Sequence, residues 1–261
     1  HKVSLVVIGP EAPLAEGFAD ALASDTRLVF GPKANGAILE SDKAWAKQLM
    51  RGASIPTGDA RVFTKLEQAV SYMETREAPP VLKAAGLAAG KGVVLPANME
   101  EAVAFLSDCL EGNKFGDAGR KVLIEERLEG PEVSVLALVD GRNIYVLETA
   151  QDHKRLKDND EGPNTGGMGA FSPSLRVDEE MMDLIQREIL VPTVDALRRD
   201  SIDFRGVLYT GIMLTPSGPK VLEYNVRFGD PECQAILPRL KSDFLEICIA
   251  TCKGKLSDID I

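Results

Sequence analysis

The sequence predicts an α/β protein: two α+β lobes preceded by a partial α/β layer. Three observations carry this reading. Val3–Ile8 is an apolar, β-branched run closed by Gly9-Pro10, the texture of a buried parallel strand. Between about Arg61 and Glu126, short strand-like and helix-like segments alternate. Beyond them, Glu132–Val139 and Asn143–Glu148 flank Asp140-Gly141, a dipeptide suited to a hairpin turn.

The opening layer continues with a short helix over Glu16–Ala23 and a second strand, Leu28–Phe30, before Gly31-Pro32. Ser41 or Asp42 can cap a helix running to about Ala53, with Trp45, Leu49 and Met50 on one side. In the first lobe, Glu67–Thr75 and Met99–Leu110 read as helices, the latter turning Ala102, Val103, Phe105 and Leu106 inward. Val81–Ala84, Val93–Leu95 and Val122–Glu126 read as strands. After the hairpin, Gln151–Phe171 is polar and Gly-rich, and a loop of that length inside a compact domain usually has a function. Asp178–Arg199 has helical periodicity with a kink expected at Pro192. Gly206–Leu214 and Lys220–Glu223 are strands around a turn at Pro216–Gly218, and Asp243–Thr251 is a closing helix. The expected domains are 1–41 (partial α/β), 42–60 with 127–261 (large lobe) and 61–126 (small lobe).

With 261 residues, 44% of them hydrophobic, the chain can bury a sizeable core. A net charge of −10 argues against gripping a nucleic-acid backbone. No apolar run approaches the roughly 20 residues of a membrane span, and no secretory signal is seen. Cys109, Cys233, Cys248 and Cys252 read as plain thiols, and the only histidines are His1 and His153. A cytoplasmic protein with small-molecule substrates, monomeric or weakly dimeric, is expected. The chain starts without Met, almost directly in a strand, and stops within an apolar-periodic piece, as a part of a longer protein would.

Four features carry chemistry. Lys220–Cys233 runs from a strand into a polar turn, and Glu223, Asn225 and Arg227 lie two apart, hence on one face. Leu222, Tyr224 and Val226 should then point into the core. A carboxylate and an amide oxygen are hard ligands for Mg²⁺, and the guanidinium suits phosphate. Lys83 precedes AAGLAAGKG (84–92), whose Gly86, Gly90 and Gly92 would let backbone pass close to an anion, with Lys91 adding charge. This is not a Walker A loop, because three residues separate the glycines and a strand follows. The stretch VLIEERLEGPEVSV (122–135) could be a hinge whose backbone meets an adenine edge, with Glu132 near ribose hydroxyls. In the loop, His153, Lys154, Arg155 and Lys157 concentrate positive charge, and Asn164, Thr165, Gly166 and Gly167 offer small donors for a sugar phosphate or carboxylate. Taken singly, each feature also fits an ordinary turn, surface connection, solvated loop or amphipathic strand.

In this order the segments resemble the ATP-grasp superfamily and, more narrowly, the phosphoribosylamine–glycine ligase family. The strings that carry the resemblance are IGPEAPL (8–14), ESDKAWAK (40–47), LKAAGLAAGKGV (82–93), IEERLEGPEVS (124–134), AQDHKR with GPNTGGMGAFSP (150–155, 162–173) and YTGIMLTPSGPKVLEYNVRFGDPECQ (209–234). The resemblance implies an ATP-grasp fold, with a Gly-rich unit before this region and a further domain after it. It implies ATP-dependent joining of glycine to 5-phosphoribosylamine through glycyl phosphate, in purine synthesis. Alternatives are another ATP-grasp carboxylate–amine ligase, such as a purine or biotin carboxylase, or a nucleotide-binding fragment without turnover.

By matched position, Lys83, with Lys43 or Lys47, would hold ATP phosphates beneath the flap of Gly86, Gly90, Lys91 and Gly92. Glu125, Glu126, Arg127 and Leu128 would read adenine, and Glu132 the ribose. Glu223 and Asn225 would bind Mg²⁺ or Mn²⁺; where many superfamily members carry an acidic ligand on the preceding strand, this chain has Gly211. Arg227, Lys154 and Asn164 would act in catalysis, with Lys154, Asn164, Thr165, Gly166 and Asp230 touching substrate.

Overall fold

The computed structural model describes residues 2–76, 79–88, 90–153, 155–158, 161–165 and 167–261, without the side chains of 155, 163 and 164. The first layer contains β1 (Leu5–Val7), helices α1 (Glu11–Ala15) and α2 (Phe18–Leu22), β2 (Leu28–Phe30) and helices α3 (Ala34–Ser41) and α4 (Lys43–Gly52). β1 and β2 pair in parallel, as expected. Two corrections apply. Val7 is 45% exposed rather than buried, because the described pair is two strands wide and leaves that face uncovered. The helix expected over Glu16–Ala23 is α2, and the sequence reading missed α1 before it, the two being divided at Gly17, whose φ of 81° is left-handed.

Helix α3 is not foreseen by the sequence reading. Gly36, Ala37, Leu39 and Glu40 are all buried, so no polar face marks its period. Gly36 lets it lie against Phe204, where a Cβ would come within 3.2 Å of the ring. Asp42 then caps α4, its carboxylate accepting from the backbone N–H groups of Ala44 and Trp45.

A four-stranded antiparallel sheet follows, built from β3 (Ala60–Phe63), β4 (Val81–Ala84), β5 (Val93–Val94) and β6 (Val122–Glu125) in the order β3-β6-β4-β5. Helices α5 (Leu66–Glu74) and α6 (Met99–Leu110) cover one face around Met73, Leu82, Phe105, Leu106 and Ile124.

The larger sheet consists of β7 (Glu132–Asp140) and β8 (Ile144–Val146), joined later by β13 (Arg205–Thr215) and β14 (Gly218–Asn225), ordered β14-β13-β7-β8. Alternation along β7 sends Val133, Val135, Ala137 and Val139 into one core and Leu136 and Leu138 into another. Burying each large aliphatic side chain contributes about 1.5–3 kcal/mol, so this strand anchors the sheet from both sides. The first core is roofed by α7 (Glu179–Ile185) and α8 (Val191–Arg199), the second by α10 (Phe244–Lys253), which follows the short α9 (Glu232–Ile236). Just before Pro192 the helix passes through a π-helical turn, Gln186–Leu190. That wider turn accommodates a ring with no N–H to donate.

The polar segment read as loop is partly paired. β9 (Gln151–Asp152) pairs with β12 (Ala170–Phe171), and between them β10 (Arg155–Lys157) pairs with β11 (Glu161–Asn164). All four cysteines are free, with Cys109 and Cys248 buried. No helix among the described residues is long and apolar enough to cross a membrane.

Candidate functional site

The edge strand β14 makes one wall of the site, and a β-bulge sets its face. Gly211 of β13 pairs with Glu223, but Ile212 pairs with Val221, so Leu222 is the extra residue. Val221, Tyr224 and Val226 are buried, whereas Leu222 is only half-buried. The inward position expected for Leu222 is thus filled by Val221. The bulge frees the Leu222 carbonyl to accept from Lys83 Nζ at 3.0 Å. On the opposite face, Glu223, Asn225 and Arg227 line one cavity of roughly 250 Å³, as the two-residue spacing predicts. Gly90, Gly92, Leu87 and Ala88 from the Gly-rich segment line it as well, together with Lys43, Thr165 and Asp230.

Other predicted residues lie elsewhere. Lys47 and Lys83 are buried and grip one carboxylate: Glu125, 2% exposed, takes Lys47 on Oε1 at 2.6 Å and Lys83 on Oε2 at 2.8 Å. Lys47 also donates to the Gly58 carbonyl. Burial pushes Lys47 below its ordinary value, against the pull of Glu125. The Glu125 side chain is therefore a clamp for lysines, leaving only backbone for an adenine. In that backbone, the Glu126 N–H is taken by Asp59 O at 2.7 Å. Glu125, Glu126 and Arg127 line a second cavity, beside Tyr72 and Pro79, rather than the one holding Glu223. Leu128, Glu132, Gly86 and Lys91 are outside both cavities.

Two of the segment's glycines are required by packing. A Cβ at Gly86 would lie 2.6 Å from Ala118 and one at Gly92 2.7 Å from Ala88, while Gly90 has a left-handed φ of 74°. The base of the flap is tied down, since Lys43 N–H donates to Ala85 O and Lys43 Nζ to Gly86 O. Lys154 and Gly166 lie outside the described residues, and of Asn164 only the backbone, in β11, is described.

The sequence reading missed five cavity residues: Glu11, Glu40, Asp152, Tyr209 and Glu232. Glu11 and Glu40 bracket Arg227, with N–O distances of 3.0 and 3.2 Å. Burial opposes the charge of Arg227, but Glu40 and Glu11 outweigh it and hold the guanidinium more firmly protonated. Burial pushes the Glu40 carboxyl up to about 7, although Arg227 and the Val226 N–H favour its charged form. The only available signal was that Glu11 and Glu40 sit in IGPEAPL and ESDKAWAK, segments otherwise read as loop and helix start. Six carboxylates (Glu11, Glu40, Asp152, Glu223, Asp230, Glu232) thus face two cations, Lys43 and Arg227, among the described lining residues. A triphosphate would be repelled there unless accompanied by cations. The Glu223 side chain makes no hydrogen bond or ion pair with any described residue, so its oxygens face the cavity unengaged by those residues.

Comparison with known proteins decides the family. The family model described as phosphoribosylglycinamide synthetase, ATP-grasp (A) domain matches residues 41–233, and that of the N domain of the same synthetase matches residues 1–40. The chain belongs to the phosphoribosylglycinamide synthetase family. It is 50% identical to the phosphoribosylamine–glycine ligase of Rhodopirellula baltica across 99% of this chain and 60% of that one. It is 49% identical to a trifunctional purine biosynthetic protein of Gallus gallus, covering 26% of that polypeptide. Among solved structures, the phosphoribosylamine–glycine ligase of Thermotoga maritima aligns with a TM-score of 0.81 at 36% identity, over 87% of this chain and 57% of that one. A biotin carboxylase of Campylobacter jejuni, 18% identical, aligns at 0.75 over 96% of this chain and 55% of that one, and shows the shared fold. The fold is ATP-grasp. The chain spans about 60% of the length of the curated phosphoribosylamine–glycine ligases it matches.

Proposed function

We propose that this chain provides the nucleotide and acyl-phosphate site of an ATP-dependent ligase joining glycine to 5-phosphoribosylamine. The observation that carries the reading is that Gly90 and Gly92 of the flap line the same cavity as Glu223 and Asn225. A carboxylate is a poor electrophile, so the γ-phosphoryl group of ATP first passes to glycine. The amine then attacks the glycyl carbonyl and phosphate departs. No protein nucleophile is needed; the chain positions the reactants and balances charge.

In this reading Glu223 and Asn225 hold Mg²⁺ or Mn²⁺, which the oxygen-only donors and the excess of carboxylates suit. Held there, a divalent cation would supply positive charge between the triphosphate and those carboxylates. Lys43 and Lys83 approach the nucleotide phosphates, with Lys47 behind them on Glu125. Arg227 steadies the transferring phosphoryl group, its orientation set by Glu11 and Glu40. Thr165 and Asp230, with Lys154, Asn164 and Gly166, contact substrates. Backbone of Glu125–Leu128 meets adenine and Glu132 the ribose. We read residues 1–41 as the pre-ATP-grasp part, 61–126 as the small lobe, and 42–60 with 127–261 as the large one. The protein is cytoplasmic, monomeric or weakly dimeric, and engages neither nucleic acid nor membrane.

The test is ADP and phosphate release by the complete gene product. Release that requires both glycine and phosphoribosylamine supports the ligase. Release driven by bicarbonate instead indicates a carboxylase, and Mg-ATP binding without release indicates a nucleotide-binding module.

A further inference from the structure

One buried carboxylate in the cavity wall has no part in the scheme above. Glu232, the first residue of α9, is 3% exposed. Its Oε1 accepts from Ser134 Oγ at 3.1 Å and from the Tyr209 hydroxyl. The two hydroxyl oxygens lie 2.9 Å apart, and burial followed by the Glu232 charge pushes the Tyr209 hydroxyl well above its ordinary value. Tyr209 therefore stays a donor, and Oε1 is fully engaged. No described residue donates to Oε2.

Two backbone features place that oxygen beside the chemistry. Tyr209 is the cross-strand partner of Asn225, and Gly211 stands between Glu223 and Ser134 in the next row, so all share one sheet face. Gly229, also on the cavity wall, has no Cβ; one there would sit 2.2 Å from Glu232 Oε2. Oε2 is not sealed away from solvent, so it opens onto the cavity that Glu232 lines, where a ligand can supply a donor or positive charge. The other carboxylates with described partners are committed: Glu11 and Glu40 to Arg227, Asp230 to Gln234 Nε2 at 2.7 Å.

We infer that Glu232 receives the amine nucleophile: Oε2 accepts a hydrogen bond from the attacking nitrogen and then its proton. This deepens the ligase reading and rests on it. The nitrogen lone pair forms the C–N bond to the glycyl carbonyl. The C–O bond to phosphate breaks with its electron pair on phosphate, and the proton lost by nitrogen resides on Glu232. Tyr209 and Ser134 hold Oε1 still and fix the direction of Oε2, as positioning residues.

The experiment separates the two half-reactions in the complete gene product. ATP carrying isotopic oxygen in its β,γ-bridge scrambles the label when phosphoryl transfer to glycine is reversible, and no amine is needed. Glu232→Gln keeps an acceptor for both hydroxyls and should scramble at the wild-type rate. Its amine-dependent turnover should fall about 100-fold or more, the usual effect of losing a general base. Glu232→Asp, which restores the charge, should recover part of that loss. Turnover of Glu232→Gln close to wild type overturns the inference, as does loss of scrambling in a folded Gln variant. An Asp variant no better than the Gln variant also overturns it. Wild-type protein that fails to scramble with glycine sinks the ligase reading itself, a result distinct from the other three.

Discussion

Two ion clusters of opposite composition, one buried and one half-buried, flank the cavity. Lys47–Glu125–Lys83 has two cations on one carboxylate, and Glu11–Arg227–Glu40 has two carboxylates on one cation. The first carries an excess positive charge, which the proposed function turns toward nucleotide phosphates. The second carries an excess negative charge, relieved by the proton that burial drives onto Glu40. Similar side chains thus acquire different chemistry from arrangement alone: one cluster holds an excess of positive charge, the other favours a proton on Glu40.

The comparison is broken most severely at Glu125. Glu125→Ala leaves Lys47 and Lys83 buried without a counter-charge and should cost about 3–5 kcal/mol of stability. Urea unfolding checks this, and a loss below about 1 kcal/mol would mean that the lysines find other partners. The next effect concerns Glu40. Its carboxyl is raised in the fold from 4.5 to about 7, so between those pH values the folded chain keeps a proton that the unfolded chain has released. Stability from this group is therefore lost as pH rises, by roughly 3 kcal/mol in all. Glu40→Gln should remove that part of the slope, seen as a wild-type minus variant difference that shrinks from pH 4.5 to 7. An unchanged difference would place the proton elsewhere.

A smaller effect is expected between the clusters. Glu223→Ala should weaken Mg-ATP binding about tenfold or more while leaving the urea midpoint in place, because the side chain is half-buried and unpaired. Calorimetric titration with and without Mg²⁺ measures it, and unchanged metal-dependent affinity removes Glu223 from the metal. The smallest effect is at the flap. Trypsin should cut after the exposed Lys91 several-fold more slowly with Mg-ATP present. Equal cutting in both states argues against a flap that closes on nucleotide.

Much of the fold was legible in the sequence because it is written in local periodicity. Val81–Ala84 and Met99–Leu110 match their observed limits, and the spacing of Glu223, Asn225 and Arg227 delivers all three to one cavity. Helix α3 was not legible, since a helix buried around most of its surface shows no polar stripe. The bulge at Leu222 was not legible either; a one-residue slip depends on the partner strand, which alternation within β14 does not record.

What the sequence by itself determined is most of the elements, the family, and the shared face of Glu223, Asn225 and Arg227 beside a Gly-rich segment. Only the tertiary structure decided which charges meet. Lys47 finds Glu125 78 residues away, Lys83 reaches the Leu222 carbonyl across 139, and Arg227 meets Glu11 across 216. The physical reason is that periodicity fixes where a side chain points relative to its own backbone. The state of a charge depends on burial and on neighbours from other elements, and those exist only once the sheets and helices have packed.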